Sequence, residues 1–428
     1  MTTFESYFRD RWWDADVDAL LAGLAAEPTT SIRLNPRRLD TTLEPEGADG
    51  RVPWCPEGVY LSQRPTFTAD PLLHAGAYYV QDASSMFIAH IIRQLSIINH
   101  PLGAKRRFTL EESPSTVLDL CAAPGGKSTL LRSLLPDDAL LVSNEPIRAR
   151  AQVLAENMTK WGHPNVLVTQ AYARDFARYA EAFDLILADV PCSGEGMMRK
   201  EEMAVSQWSP QLISQCAALQ QSIIEDVWPA LRPGGLLIYS TCTFNPEEDE
   251  DNVEWIAQHL DADILPIPVD PSWGICGDLR KNHLQPSTLP PSLTEEGSGE
   301  RPLFCHFLPG PVRGEGFFCA LLRKRGEPSE RPHRPRSFDR LVTLPTDQLT
   351  APDAPCVDVS LADAFRYLCR EAIVLPSDAP RGIVQVCFRG QRLGTAKNLG
   401  TRANNLYPKE WRIRNANLTP HSIIPYEP

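Results

Sequence analysis

STVLDLCAAPGGKSTLL, residues 115–131, carries an apolar strand through a glycine turn into a helix, an arrangement that presents free backbone N–H groups at the carboxyl edge of a sheet. Two ligand classes that use such loops are disfavoured by the spacing. A phosphate-cradling loop needs G-x-x-x-x-G-K-[ST]; Gly126, Lys127 and Ser128 fit, but Cys121 stands at the first glycine position. The dinucleotide fingerprint G-x-G-x-x-G is absent too. What remains is an adenosine-type ligand on the Gly125–Gly126 turn, with an acid at the end of the next strand to accept hydrogen bonds from ribose hydroxyls. Glu145, closing LLVSNE, lies 19 residues beyond Gly126, close to that spacing. The combination points to S-adenosylmethionine. The plainer alternative is a tight turn whose glycines merely permit it, with Glu145 a solvated strand end.

Outward from this loop, strand-like and helix-like runs alternate: LLVSNEP, a helix from Arg148 to Met158, NVLVTQ, FDLILADVPC, a helix from Gln211 to Trp228, and GGLLIYSTC. That alternation predicts a doubly wound, mostly parallel α/β sheet. Residues 1–105 mix helical spacing (DVDALLAGLAAEP) with extended pieces such as SIRLNPRR. Proline thickens between Pro266 and Pro335, around one more strand-like piece, GEGFFCALLRK. The expected division is an N-terminal α+β segment (1–105), a catalytic domain (106–325), a Pro/Arg-rich linker (326–350) and a small α+β tail (351–428).

The chain has 428 residues, 43% hydrophobic and 22% charged, which suits a globular protein of two or three domains and excludes low-complexity and wholly disordered classes. No apolar run reaches the roughly 18–20 residues of a membrane span, and MTTFESYFRDRWWDADVD carries charges where a signal peptide is apolar. A cytoplasmic monomer with no membrane partner is expected. The eleven cysteines are odd in number and never paired as C-x-x-C, so neither a disulfide framework nor a zinc ribbon is indicated and no metal is expected. The net charge of −12 repels polyanions, so nucleic-acid binding must rest on local basic patches. One exists: from Arg381 to Arg414 eight basic residues face a single acid, Glu410. The RPHRPRSFDR stretch reads as a solvated tether, and the acid run Glu247–Asp251 as a helix start capped by Asn245 and Pro246.

Two further strand ends carry cysteines. FDLILADVPCSGEG ends with Asp189, Pro191 and Cys192, and GGLLIYSTCTFNP with Thr241 and Cys242; residues past carboxyl strand ends face the ligand crevice of an open α/β sheet. Any one buried cysteine is more often a small apolar filler, and Cys121 is assigned to that class on its residues alone. Cys192 and Cys242 differ, because each stands beside polar residues before a turn. Pyrimidine C5 is a poor nucleophile, but a thiolate adding at C6 makes an enamine whose C5 attacks an electrophilic methyl group, after which a base must remove the C5 proton. Asp189 is placed to hydrogen-bond N3 of such a ring.

LDLCAAPGGKSTLL, ADVPCSGEGMMRK and YSTCTFNPEEDEDNVEWI closely resemble the motifs of the Nop/Sun family of RNA cytosine-C5 methyltransferases. IRLNPRR and HAGAYYVQDASSM are similar to the family's N-terminal segment, and GEGFFCALLRK to its closing strand. The resemblance implies a Rossmann-like class I S-adenosylmethionine-dependent methyltransferase with a seven-stranded, mostly parallel sheet. It implies that Cys242 is the nucleophile, that Cys192 assists proton loss and release, and that Asp189 holds N3 beside the cofactor. Cys121, Ala122, Ala123, Pro124, Gly125, Gly126, Lys127 and Glu145 are implied to line the cofactor site. One departure stands out: TQAYARDF has Tyr172 where the family carries an aspartate that meets the adenine amine, which leaves Asp175 as the acid of that turn.

G-E-G-M-M-R-K and the appended tail make the bacterial RsmF-like 16S rRNA methyltransferases the branch most resembled, and GTAKNLGTRANNLYPKEWRIR is similar to that branch's PUA-like RNA-binding tail. Tyr407 and Trp411 there are candidates for base stacking, with a core role favoured for Trp411. Ribosomal RNA is the expected substrate and transfer RNA the alternative; a flipped base favours loops and junctions over continuous duplex. Two rival classes remain, a nucleotide hydrolase and a non-catalytic RNA-binding scaffold, and Cys121 counts against the first as the two strand-end cysteines count against the second.

Overall fold

The computed structural model describes residues 3–98, 116–281, 301–327, 337–347, 349, 351, 353–415 and 417–425. Two helices, Phe4–Arg9 and Asp14–Ala25, precede a four-stranded sheet in the order β2-β3-β1-β4, with β1 Thr30–Leu34, β2 Ala48–Val52, β3 Cys55–Leu61 and β4 Tyr78–Val80. The central sheet follows: β5 (Thr116–Asp119), β6 (Leu140–Asn144), β7 (Val166–Gln170), β8 (Phe183–Asp189), β9 (Leu231–Thr241), β10 (Ala262–Leu265), β11 (Phe304–Phe307), β12 (Phe317–Lys324) and β13 (Val342–Leu344). Its order is β10-β12-β9-β8-β5-β6-β7-β13, with β11 on β12. The tail adds β14 (Cys356–Asp358), β15 (Gly382–Phe388), β16 (Gln391–Asn398) and β17 (Ala403–Asn405) in a sheet of that order.

The middle strands are apolar without a break because both faces of the sheet are covered. Val117, Leu141, Leu185 and Leu187 enter one hydrophobic cluster, while Leu118, Val142, Ile186 and Ala188 enter the other, as the two-residue period of a strand dictates. The chain winds β5-β6-β7 toward one side and then crosses to β8-β9 on the other. The strand order therefore reverses between β5 and β8, which opens a crevice at their carboxyl ends.

Two expectations change. The sheet has nine strands where seven were expected; the seven are there, and β11 and β13 are added by the proline-rich excursion and the segment read as linker. That linker is no free tether over its described part: β13 pairs antiparallel with β7, and Phe338 packs on Tyr179 and Phe183 at 4.9 and 5.5 Å. Residues 328–336, with most of the arginine-rich stretch, lie outside the described residues. The acid run enters a helix as expected, the helix beginning at Glu250, but Glu248, Asp249 and Glu250 are fully buried. Local capping rules could not reveal that tertiary packing closes over those carboxylates.

The tail's core is shared. Val384, Val386, Leu393 and Tyr407 lie in one cluster with Ile32, Leu34, Leu72 and Tyr78 of the N-terminal sheet. Hydrogen bonds from Ile423 N to Asp70 Oδ2 (3.1 Å) and from Gln391 Nε2 to Arg38 O (2.8 Å) tie the two together. Tyr407 is fully buried and Trp411 packs against the same cluster, so burial, not base stacking, accounts for Tyr407.

Candidate active site

The candidate cofactor loop is built from β5 outward. Ala122 N bonds Asn144 O (2.8 Å), the Ala123–Pro124 peptide is cis, and Gly125 caps the helix Gly126–Leu134 with φ of 118°, a left-handed conformation that favours glycine. A Cβ at Gly125 would also come within 3.3 Å of Leu154 Cδ1. The turn is held from outside by Asn157 Nδ2 donating to Pro124 O (2.7 Å) and Arg150 donating to Ala123 O (3.2 Å). Asn144 Nδ2 donates to Leu120 O and Ala171 O, while its Oδ1 accepts from Ala171 N, pinning the ends of β5, β6 and β7 side by side.

Glu145 follows immediately at the end of β6. Its carboxylate is buried, accepts from Ile147 N (3.0 Å) and pairs with the exposed Arg150 at 3.3 Å. Asp119 at the end of β5 accepts from Ser128 Oγ (2.6 Å), but its Oδ1 is buried with no partner among the described residues, and burial raises its pKa to about 7. A glycine cradle, a strand-end carboxylate and an orphaned buried oxygen are the donor and acceptor set an adenosine-type cofactor with an amino-acid tail requires. Cys121 sits among Asp189, Asp119 and Glu145, and burial followed by those carboxylates pushes its thiol far up, so it stays a neutral wall residue. Tyr172 is exposed, with Arg174 over its ring at 5.0 Å; Asp175 Oδ2 accepts from Tyr172 N (2.9 Å) and so caps its own turn.

The crevice beyond β8 and β9 brings the two strand-end cysteines together. Cys192 Sγ and Cys242 Sγ are 3.2 Å apart. The hydrogen bond to Cys242, and then burial, push the pKa of Cys192 well up. Asp189, at the end of β8, receives Ser240 Oγ (2.8 Å) on Oδ1 and the Lys127 ammonium (2.8 Å) on Oδ2. Burial works against the charge of Lys127, but the pull of Asp189 and Cys242 outweighs it and its pKa rises. Lys127 thus reaches from the cofactor loop to the cysteine crevice, a link its place in the loop motif did not announce.

Behind the sulfurs lies a polar layer the sequence reading did not assign. Glu195 Oε2 accepts from Phe244 N (2.8 Å) and Asn245 N (3.0 Å), and its Oε1 from Trp208 Nε1 (2.8 Å). Glu248 accepts from Ser193 N (3.0 Å), Asn245 Nδ2 (2.8 Å) and Gln220 Nε2 (2.7 Å). Deeper still, Asp249, Glu250 and His306 gather within 4.8 Å, fully buried; Thr241 Oγ1 donates to Asp249 (2.5 Å) and His306 pairs with Glu250 (2.9 Å). The signal for this layer was the position of each acid within a few residues of a strand-end cysteine. From the N-terminal sheet, the buried Arg33 donates to Gly126 O (3.2 Å) and Thr129 Oγ1 (2.6 Å), bracing the helix Gly126–Leu134 with no carboxylate partner among the described residues.

A mostly parallel sheet whose switch point carries a glycine cradle, flanked by strand-end acids, defines the Rossmann-like methyltransferase class. Residues 108–323, half of the chain, match the family model described as 16S rRNA methyltransferase RsmB/F, and the chain belongs to that family. Residues 3–83 match the N-terminal domain of 16S rRNA methyltransferase RsmF and residues 354–413 the methyltransferase RsmF PUA domain. Among curated proteins, ribosomal RNA small subunit methyltransferase F of Serratia proteamaculans is 34% identical over 73% of this chain and 60% of its own length. The protein of the same description in Pectobacterium atrosepticum is 36% identical over 64% and 51%. The chain thus spans between half and three-fifths of the length of these relatives. Among solved structures, a methyltransferase homolog protein from Pyrococcus horikoshii superposes with a TM-score of 0.54 at 25% identity, covering 74% of this chain and 93% of that one. NSun6 from Pyrococcus horikoshii with SFG does so with a TM-score of 0.55 at 18% identity, covering 76% and 99%, which shows a shared fold.

Proposed function

We propose that the protein methylates C5 of a cytosine in small-subunit ribosomal RNA, using S-adenosylmethionine and a covalent cysteine adduct. The single observation that carries the chemistry is the 3.2 Å approach of Cys192 and Cys242 beside the Asp189–Lys127 pair. The names of the relatives support ribosomal RNA as the substrate. The cofactor would rest on Cys121 to Lys127, between Asp119 and Glu145, and when bound supplies the electrophilic methyl group.

The chain's own residues then do the following. Cys192 keeps its proton and hydrogen-bonds the neighbouring sulfur, which stabilises a thiolate on Cys242 for attack at C6. Lys127 adds positive charge on the same side. Asp189 lies beside both and accepts the N–H of a ring that takes up at N3 the proton given up by Cys242, so that the negative charge delocalised from C6 into the ring is neutralised while C5 becomes nucleophilic. A solvent water, oriented by the Cys192 thiol, takes the C5 proton, and the C–H electron pair expels Cys242 from C6 as a thiolate, which restores the pyrimidine. The basic residues of the tail supply the phosphate contacts that the acidic chain lacks elsewhere.

The test is a trapped adduct. Incubated with small-subunit RNA and S-adenosylmethionine, Cys192→Ala accumulates a denaturation-resistant protein–RNA complex and Cys242→Ala forms none. The adduct appearing with Cys242→Ala and not with Cys192→Ala would reverse the two roles. Mapping of 5-methylcytosine in ribosomal and transfer RNA from cells lacking the protein identifies the substrate; an unchanged ribosomal map would overturn it.

A further inference from the structure

We propose that Glu195 and Glu248 are positioning residues that set the spacing of the two sulfurs, each carboxylate standing on one cysteine turn and gripping the backbone of the other. The inference rests on the covalent mechanism above and adds to it the device that holds the pair. Glu195, three residues after Cys192, takes the N–H groups of Phe244 and Asn245, two and three residues after Cys242. Glu248, six residues after Cys242, takes the N–H of Ser193, next to Cys192. The grip is crossed, so neither turn can shift without breaking a bond to the other's carboxylate. Between them Gly196 N donates to Cys242 O (2.8 Å), and a Cβ at Gly196 would lie 3.0 Å from that same oxygen and 2.6 Å from Gly316 O. Nothing larger than glycine lets the turns approach so closely.

Both carboxylates are fully buried, and the polar groups that touch them are donors. Three N–H groups converge on Glu195, from Phe244, Asn245 and Trp208, and three on Glu248, from Ser193, Asn245 and Gln220. An amide cannot replace either group, because its NH2 would face at least one donor and leave it unpaired in a dry site. Burial raises Glu195 to about 7 and also raises Glu248, the desolvation that the convergent donors oppose. No cofactor or substrate role explains two buried acids each bonded to the backbone of the opposite cysteine turn. A role in spacing does.

The experiment uses the full chain and a chemical ruler that does not depend on methyl transfer. Diamide removes two protons and two electrons from a thiol pair, giving a disulfide and the reduced hydrazine form of diamide. The rate of the Cys192–Cys242 linkage, read by peptide mass spectrometry, reports how often the sulfurs meet. For Glu195→Gln and Glu248→Gln we expect that rate and kcat each to fall about tenfold, with KM for RNA and affinity for S-adenosylmethionine within about twofold of the wild type. Trp208→Phe keeps the packing and removes one donor to Glu195; it reads the same way with a smaller loss, about threefold, should the first variants fail to fold. Linkage and kcat equal to the wild type in these variants would overturn the proposal, as would a loss of cofactor affinity equal to the loss of kcat, the mark of general unfolding. If the wild type transfers no methyl group to RNA, the proposed function fails, yet the linkage rate still decides the clamp.

Discussion

Two thiol pairs sit in the same sheet, and they behave as different chemical objects. Cys305 on β11 and Cys319 on β12 face each other directly across an antiparallel ladder, both fully buried. Burial, and then the neighbouring Cys305, push the pKa of Cys319 well up. Cys192 and Cys242 stand just past β8 and β9, only partly buried, with Asp189, Lys127 and Ser240 alongside. Residue type and proximity are alike in both pairs. What separates the proposed reactive pair from the packed one is position along the strand: one lies inside the ladder, the other past the carboxyl end, where the backbone turns away.

The comparison breaks first at Cys242. Cys242→Ala is expected to lower single-turnover methyl transfer by about a thousandfold or more, since the addition to C6 has no substitute; transfer retained within about tenfold would remove the distinction between the pairs. Next comes Lys127→Met, which leaves the Asp189 carboxylate without its cation. Single-turnover transfer should fall about a hundredfold. A loss confined to S-adenosylmethionine affinity would assign Lys127 to the cofactor loop alone and sharpen the boundary between loop and crevice.

Asp119 tests how dry the floor between them is. Its pKa is raised from 3.8 to about 7, so the folded state binds a proton more tightly than the unfolded state. The stability this contributes is complete below the unfolded value and is lost as pH rises toward about 7. Relative to the wild type, Asp119→Asn should therefore gain about 2 kcal/mol between pH 5 and pH 8, measured by urea denaturation; a flat difference would mean the carboxyl is better solvated than its burial suggests. The smallest effect belongs to the packed pair. Cys319→Ala should cost about 1 kcal/mol of stability and leave methyl transfer within about twofold of the wild type. A large loss of transfer there would show that the ladder cysteines reach the chemistry.

Much of the site was legible in one dimension because the loops that carry it are local. The glycine turn is short, so Cys121 to Lys127 can be read as one string, and Gly125 has the positive φ such a turn needs. Cys192, Asp189 and Cys242 were readable because each ends an apolar run. Glu195 and Glu248 were not, for their partners lie about 50 residues away in sequence and only the pairing of β8 with β9 brings them together. The helix of the acid run was legible, but the burial of Glu248, Asp249 and Glu250 was not, for the same reason. The strand within the linker was not legible because β13 has three residues and borrows its stability from the edge of β7.

By itself, then, the order of residues determined the strand–helix alternation, the glycine turn and the candidate site side chains, since these depend on periodicity and on chemistry within a few residues. The tertiary structure alone decided that the two sulfurs lie 3.2 Å apart, that Lys127 meets Asp189, and that the tail shares its core with the N-terminal sheet. Each of those needs distant segments to be brought into register, and hydrophobic burial, which does the bringing, acts between surfaces without regard to their separation along the chain.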